Sequence, residues 1–422
     1  MLITKLKQIL SGQFIRNVGW MGVAELINRI FRLVTTVTLA RIFSPEEYAL
    51  MAIIYTTLEI THVFTVRGGI AAKIIHAAEK NIKTICNTSY WLNWILCGSL
   101  FFIQCFVAFP IAYFYGKDQL IFPICTTALN YLILPLYAVQ LAIIQRENRL
   151  KIIALCNISQ AFMSNLITVL LAIFGLGIWA IVLSIILNSI VGVVIISMNY
   201  TWQYPRHFSL DNWQEITKFS KNMLGVELLN KLRGNIDYLI IGHFLGLDIL
   251  GIYYFAFNAG LGISINVINS FTLALFPYLC SVRESPKEFR RCYIKSLKII
   301  ATIFVPLILL QSSLAPFYVP IIFGNKWTSA IPILIIICIS ALPQAFSLAT
   351  SMLLDAMNKT HITLYIDMIF TMIFTVAIFI SVKWGVLSVA IAVLVSKILI
   401  LPIILKIAQK NLRNYFVTMQ LS

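Results

Sequence analysis

The sequence "AELINRIFR", residues 24–32, interrupts a long apolar run with Glu25, Arg29 and Arg32. Apolar runs of about 20 residues, the length of a helix crossing a bilayer core, recur along the whole chain. The hydropathy pattern predicts twelve spans, near 18–40, 47–66, 88–112, 120–143, 152–174, 178–199, 222–242, 250–276, 299–321, 330–353, 362–382 and 386–405. Short polar connections join them, so the expected fold is an all-α polytopic membrane protein. The stretch 1–17 lacks the apolar core and cleavage site of a signal peptide and reads as an amphipathic lead-in.

The polar positions repeat. "VELLNKLRG", beginning at Val226, places Glu227, Asn230 and Lys231 where "AELINRIFR" has Glu25, Asn28 and Arg29. At the same offset Arg16 matches Lys218, Glu46 matches Asp248 and Ala49 matches Gly251. Further on, "FYGK" matches "FGNK" (Gly116 and Gly324), "ENRLKI" matches "MNKTHI" (Asn148 and Asn358), and "GIWAIVL" matches "GVLSVAI" (Gly177 and Gly385). Six spans therefore repeat as six spans of the same orientation. Two lobes are expected, 1–205 and 206–422, related by an axis along the membrane normal and enclosing a central cavity. The segment from Tyr200 to Lys221 is the linker, with a surface helix after Asp211.

Charge fixes the expected orientation. Lys73, Lys80, Lys83, Arg146, Arg149, Lys151, Arg283, Lys287, Arg290, Arg291, Lys295 and Lys298 fall on one side; Arg41, Lys117, Lys326 and Lys383 fall on the other. Basic loops mark the cytoplasmic side, so both termini are expected in the cytoplasm. The net charge of +16 is accounted for by these loops, which set topology and meet anionic lipid headgroups; no nucleic-acid partner is implied. The eight cysteines show no CxxC spacing and read as small apolar residues.

Ten charges fall within the expected spans: Glu25, Arg29, Arg32, Glu59, Glu227, Lys231, Arg233, Asp237, Asp367 and Lys397. All ten facing lipid would cost about 25–35 kcal/mol, more than the roughly 5–15 kcal/mol that stabilises a domain. They must face one another or water. Glu25, Asn28, Arg29 and Arg32 share one helical face, as do Glu227, Asn230, Lys231 and Gly234, with Asp237 at the margin. Two readings stand open. The stripes can line a cavity whose surplus cations, Arg29, Arg32, Lys231 and Arg233, hold an anionic substrate beside Asn28 and Asn230. Alternatively, the i,i+4 pairs Glu25–Arg29, Glu227–Lys231 and Arg233–Asp237 simply neutralise themselves. Asp367 and Lys397 are expected to pair between the last two helices. Glu25, Glu59, Glu227 and Asp237, with His62 one turn from Glu59, are the candidates for coupling to protons or sodium. No other cofactor and no metal is implied. Tyr238, Tyr253, Tyr254 and Phe257 suit sugar stacking, though core packing is their more ordinary role.

Walker A and HExxH motifs are absent, and no loop is long enough to hold an extramembrane active site, so no enzyme is expected. Three stretches together, "LARIFSPEEYALMAII", "IIQRENRLKIIA" and "FGLGIWAIVLSII", resemble the bacterial polysaccharide (O-antigen type) flippases of the multidrug/oligosaccharidyl-lipid/polysaccharide exporter superfamily. The resemblance runs the length of the chain in order. Ala49 departs from the family's usual glycine, and "VFTVRGGIAAKIIHA" replaces its acidic-glycine turn. The resemblance implies an inner-membrane transporter that carries a polyprenyl-pyrophosphate-linked oligosaccharide, a precursor of surface polysaccharide such as lipopolysaccharide O-antigen, by alternating access. It implies a polymerase and glycosyltransferases as partners. An ion-coupled multidrug exporter, which would favour an acidic cavity, and a membrane polysaccharide polymerase or ligase are the competing readings.

Overall fold

The computed structural model describes residues 13–421 apart from 66, 203, 206 and 212; the lead-in expected over 1–17 lies largely outside them. The described chain falls into two compact units, Met1–Lys231 and Leu232–Ser422.

The first unit contains α1 (Gln13–Ile42), α2 (Pro45–Val63), α3 (Arg67–His76), α4 (Ile82–Tyr115), α5 (Ile121–Ile133), α6 (Pro135–Arg146), α7 (Leu150–Ile173) and α8 (Trp179–Asn199). The boundary cuts α9 (Trp213–Phe244), and the second unit continues with α10 (Leu247–Val282), α11 (Pro286–Ile299), α12 (Val305–Tyr318), α13 (Ile331–Ala356), α14 (Thr360–Ser381) and α15 (Val386–Leu421). The expected surface helix after Asp211 is therefore the first part of α9 rather than a separate element. The lobe boundary expected at 205/206 falls inside the first unit, because the linker packs there. Thr88 donates to the Asp211 carbonyl at 2.7 Å, Trp91 to the His207 carbonyl at 2.9 Å, and Gln140 to the Tyr204 hydroxyl at 3.0 Å.

Each of the twelve expected windows falls on helix. Seven described helices are long and apolar enough to cross a membrane, and the α5–α6 pair, bent by 50°, makes an eighth if it is one span. The bend sits at Pro135, which has no N–H for the preceding turn and whose ring crowds it. The remaining windows fall on α1, α2, α9 and α10, and the first three of these carry Glu25, Arg29, Arg32, Glu59, Glu227, Lys231, Arg233 and Asp237.

Packing follows the same scheme within each unit. In the first, α5 packs on α8, α7 on α8 and α4 on α5; in the second, α13 packs on α15, α14 on α15 and α12 on α13. The matched turns also agree. Asn148 and Asn358 have φ of 56° and 58°, and are the only non-glycine residues with positive φ among those described. Each ends its helix in the same way. Arg149 N–H reaches the Ile144 carbonyl at 3.1 Å, and Lys359 N–H reaches that of Leu354 at 2.9 Å. Asparagine tolerates this left-handed conformation better than other residues bearing a side chain.

In the first unit, sequence-matched residues converge on one corner. Ser44 and Glu47 form a capping box at the start of α2, with Pro45 at its first turn. Lys117 pairs with Glu46 at 2.6 Å, and both border a recess of about 600 Å³ with Glu47, Gly116, Asp118 and Ile178. Gly177 (φ 54°) closes the corner: a Cβ there would lie 2.8 Å from Glu47 Oε1. These matches thus have a structural reason. The departure at 63–77 is also structural. It contains α3, whose carbonyls at Ile74 and Ile75, with that of Ala77 just beyond its end, accept from Arg146 at 2.9, 3.1 and 2.5 Å, a cation placed where a helix C-terminus favours one.

Candidate functional site

In the first unit, α1 packs on α7, with Thr35 donating to Asn165 Oδ1 at 2.7 Å and the Phe31 and Phe162 rings 5.4 Å apart; Ala24, Thr35, Leu39 and Ala40 of α1 are buried. On the same helix Glu25 and Arg32 are exposed and Asn28 and Arg29 half-buried. There Arg29 Nε donates to Glu25 Oε1 at 3.0 Å, with side-chain exposures of 31% and 54%. Arg32 is exposed and has no ion-pair partner among the described residues, while Asn28 is half-buried. The expected i,i+4 pair is present, and a cation remains beyond it.

Lys231 Nζ, at the end of the same unit, reaches Glu59 Oε2 of α2 at 3.1 Å. That carboxylate lies on another helix, whereas the neutralising reading had paired Lys231 with Glu227 one turn away. Glu227 and Asn230 are exposed on α9, and His62 is half-buried on α2. No group of three or more metal-binding side chains occurs among the described residues.

The second unit holds a separate polar cluster. Arg233 Nη1 donates to Asp367 Oδ1 of α14 at 2.8 Å and stacks 5.8 Å from the Phe370 ring centre. Lys397 of α15 donates to Gln344 Oε1 at 2.9 Å and Ser340 Oγ at 3.2 Å, both on α13. The expected Asp367–Lys397 pair is therefore corrected: each residue has found a different partner. The expected Arg233–Asp237 pair is corrected too. Asp237, 2% exposed, accepts from the Tyr253 hydroxyl at 2.8 Å and the Tyr238 N–H at 3.0 Å. Tyr238 packs edge-on against Tyr253, Tyr254 and Phe257 at 5.2–5.9 Å, and Tyr253 is fully buried. These rings serve the core.

Sequence reasoning missed Tyr253 as the donor to Asp237 and missed Ser340 and Gln344 as acceptors for Lys397. The latter pair did carry a signal: two polar residues one turn apart inside an apolar helix.

The contrast between the clusters is chemical. Asp237 is enclosed by its donors. The Glu25–Arg29 pair is half-exposed, and such a pair is worth about 0–1 kcal/mol where water reaches it. Arginine has five N–H donors, and charge-assisted bonds to phosphate are stronger than neutral ones. The α1 face can therefore exchange a carboxylate for a phosphate at small cost.

Known proteins are similar to this chain over most of its length. The profile of a family described as "Polysaccharide biosynthesis protein" matches residues 38–332. The teichuronic acid biosynthesis protein TuaB of Bacillus subtilis (strain 168) is 26% identical over 371 residues, 86% of this chain and 74% of its own. The succinoglycan biosynthesis transport protein ExoT of Rhizobium meliloti (strain 1021) is 25% identical over 333 residues, 77% of this chain and 65% of its own. Among solved structures, the lipid II flippase MurJ in an inward closed conformation aligns with a TM-score of 0.74 at 14% identity, over 95% of this chain and 90% of that one. At that identity the likeness concerns the fold.

Proposed function

Because the chain belongs to the family of polysaccharide biosynthesis proteins, we propose that it is a flippase for a lipid-linked oligosaccharide, the polyprenyl-pyrophosphate precursor of a surface polysaccharide. The observation that carries this reading is the cationic face of α1, where Arg29 and the exposed Arg32 stand on a helix whose neighbouring positions Val23, Leu26, Ile30, Leu33 and Val34 are exposed and apolar. Such a face accepts a charged headgroup while the apolar positions tolerate its hydrocarbon tail. Arginine supplies a planar fork for phosphate oxygens and lysine a point charge, so Arg29, Arg32 and Lys231 are assigned to the pyrophosphate, with Asn28, Asn230 and Arg233 as further candidates. That TuaB serves teichuronic acid biosynthesis and ExoT succinoglycan biosynthesis transport supports the substrate class.

Transport between two sides requires two states and a ligand that favours one of them; equal affinity for both shifts nothing. Glu25 and Glu59, the partners of Arg29 and Lys231, are assigned to that exchange, taking up a proton or sodium when either cation turns to phosphate, with Glu227 and Asp237 as further candidates. His62 is the neighbouring candidate. Reconstitution into proteoliposomes tests both claims. A labelled lipid-linked oligosaccharide is expected to become accessible to a membrane-impermeant reagent, faster under an imposed proton or sodium gradient. Flipping indifferent to both gradients would reduce the acids to counter-ions, and failure to flip with active export of a cationic dye would replace the reading by that of a drug exporter.

The protein is assigned to the bacterial cytoplasmic membrane with both termini inside, and a polymerase and glycosyltransferases are its expected partners. Reporter fusions after Lys117, Leu176, Lys326 and Lys383 are expected to be active outside the cell, and those after Arg149 and Arg290 inactive. The opposite pattern would reverse the orientation.

A further inference from the structure

Helix α11 is two-sided. Phe289, Cys292, Tyr293 and Ser296 are buried, the Tyr293 hydroxyl lies 3.1 Å from Thr350 Oγ1, and Phe289 packs against Tyr415 at 6.0 Å. The opposite side carries Lys287, Arg290, Arg291, Lys295 and Lys298, all exposed, around Ile294, which is 40% exposed. These six residues line a recess of about 460 Å³. The helix then continues through a π-helical turn, Ile300–Phe304, into α12, and the stretch Lys287–Phe323 is long and apolar enough to cross a membrane.

Five cations are thus gathered where a helix leaves hydrocarbon. Glu288, paired with Arg291 at 3.7 Å, is an exposed partner at the recess edge, and an exposed pair of this kind contributes little. We propose that the recess docks the headgroup of an anionic phospholipid from the adjoining leaflet, with its phosphate among Arg290, Arg291 and Lys295 and its glycerol-acyl region against Ile294. Charge complementarity and the exposed isoleucine favour an amphiphile over a free anion. A soluble phosphate would use the cations and leave Ile294 in water. The site is separate from Arg29 and Arg32 in sequence and in unit, so it serves a resident lipid rather than the transported one.

The test is native mass spectrometry of the full chain in detergent, titrated with phosphatidylglycerol, phosphatidylcholine or inorganic phosphate. Phosphatidylglycerol is expected to be retained and the other two are not, with retention falling as salt is raised. Each neutralised cation should weaken binding about five-fold, so Arg290→Gln with Lys295→Gln should lose roughly 30-fold. Lys287→Gln with Lys298→Gln should behave alike, which guards against misfolding of one variant. Lys80→Gln with Lys83→Gln, exposed cations of the first unit that meet headgroups only diffusely, should lose far less than the recess variants. Equal losses in the Lys80/Lys83 control, equal retention of phosphatidylcholine, saturable phosphate binding at the recess, or undiminished binding in both recess variants would each overturn the proposal.

Discussion

Arg29→Ala is expected to abolish surface polysaccharide while the protein still inserts at the normal level. The effect is large because Arg29 is assigned to the transported pyrophosphate, and a hydrogen bond to a charged group is worth about 1.5–3 kcal/mol, or roughly 10- to 150-fold in affinity per contact. Folding should survive, since the pair of its Nε with Glu25 at 3.0 Å is half-exposed, and exposed i,i+4 pairs contribute about 0.3–0.5 kcal/mol. Arg29→Lys should rescue only in part: charge returns, the fork does not. The competing account, in which Arg29 merely neutralises Glu25, makes another forecast. It expects Arg29→Ala to strand a carboxylate and Glu25→Ala with Arg29→Ala to restore both folding and export. Protein level by immunoblot and polysaccharide by surface labelling separate the two, and restored export in the double variant removes Arg29 from the substrate site.

A double-mutant cycle on Arg233→Gln and Asp367→Asn should give a coupling of about 1–2 kcal/mol in thermal stability. The contact is short, 2.8 Å, but the side chains are 25% and 42% exposed, so the figure for a charged hydrogen bond is discounted for solvent screening. Asp367→Asn alone should destabilise more than the pair of substitutions together would suggest, because it leaves a guanidinium without its carboxylate. The cycle between Asp367 and Lys397 should be additive within about 0.5 kcal/mol, as Lys397 instead binds Ser340 and Gln344. Coupling that resides in Asp367–Lys397 rather than Arg233–Asp367 would contradict the observed pairing.

That second cycle marks the limit of what periodicity can reveal. The helices were legible because apolar runs and turn residues act locally, and the Glu25–Arg29 contact was legible because four residues along a helix meet on one face. Lys231 with Glu59, and Arg233 with Asp367, join helices far apart in sequence; their partners depend on which helix lies alongside, and nothing in the spacing encodes that. The same holds for Asp237. Its spacing from Arg233 pointed to an ion pair, whereas the Tyr253 hydroxyl of α10 took the position. The single span expected over 120–143 was bent by Pro135, a residue visible in the sequence whose effect hydropathy alone does not register. The linker's attachment to the first unit, through Thr88, Trp91 and Gln140, rests on side chains of other helices and could not be read from its own polar composition.

Asn148 and Asn358, with φ of 56° and 58°, also limit which residues their two turns accept. Glycine would occupy that conformation with less strain, and a β-branched side chain would be a genuine outlier there. Substitution at either turn is therefore confined to a few residue types, whatever the helices on both sides of it do.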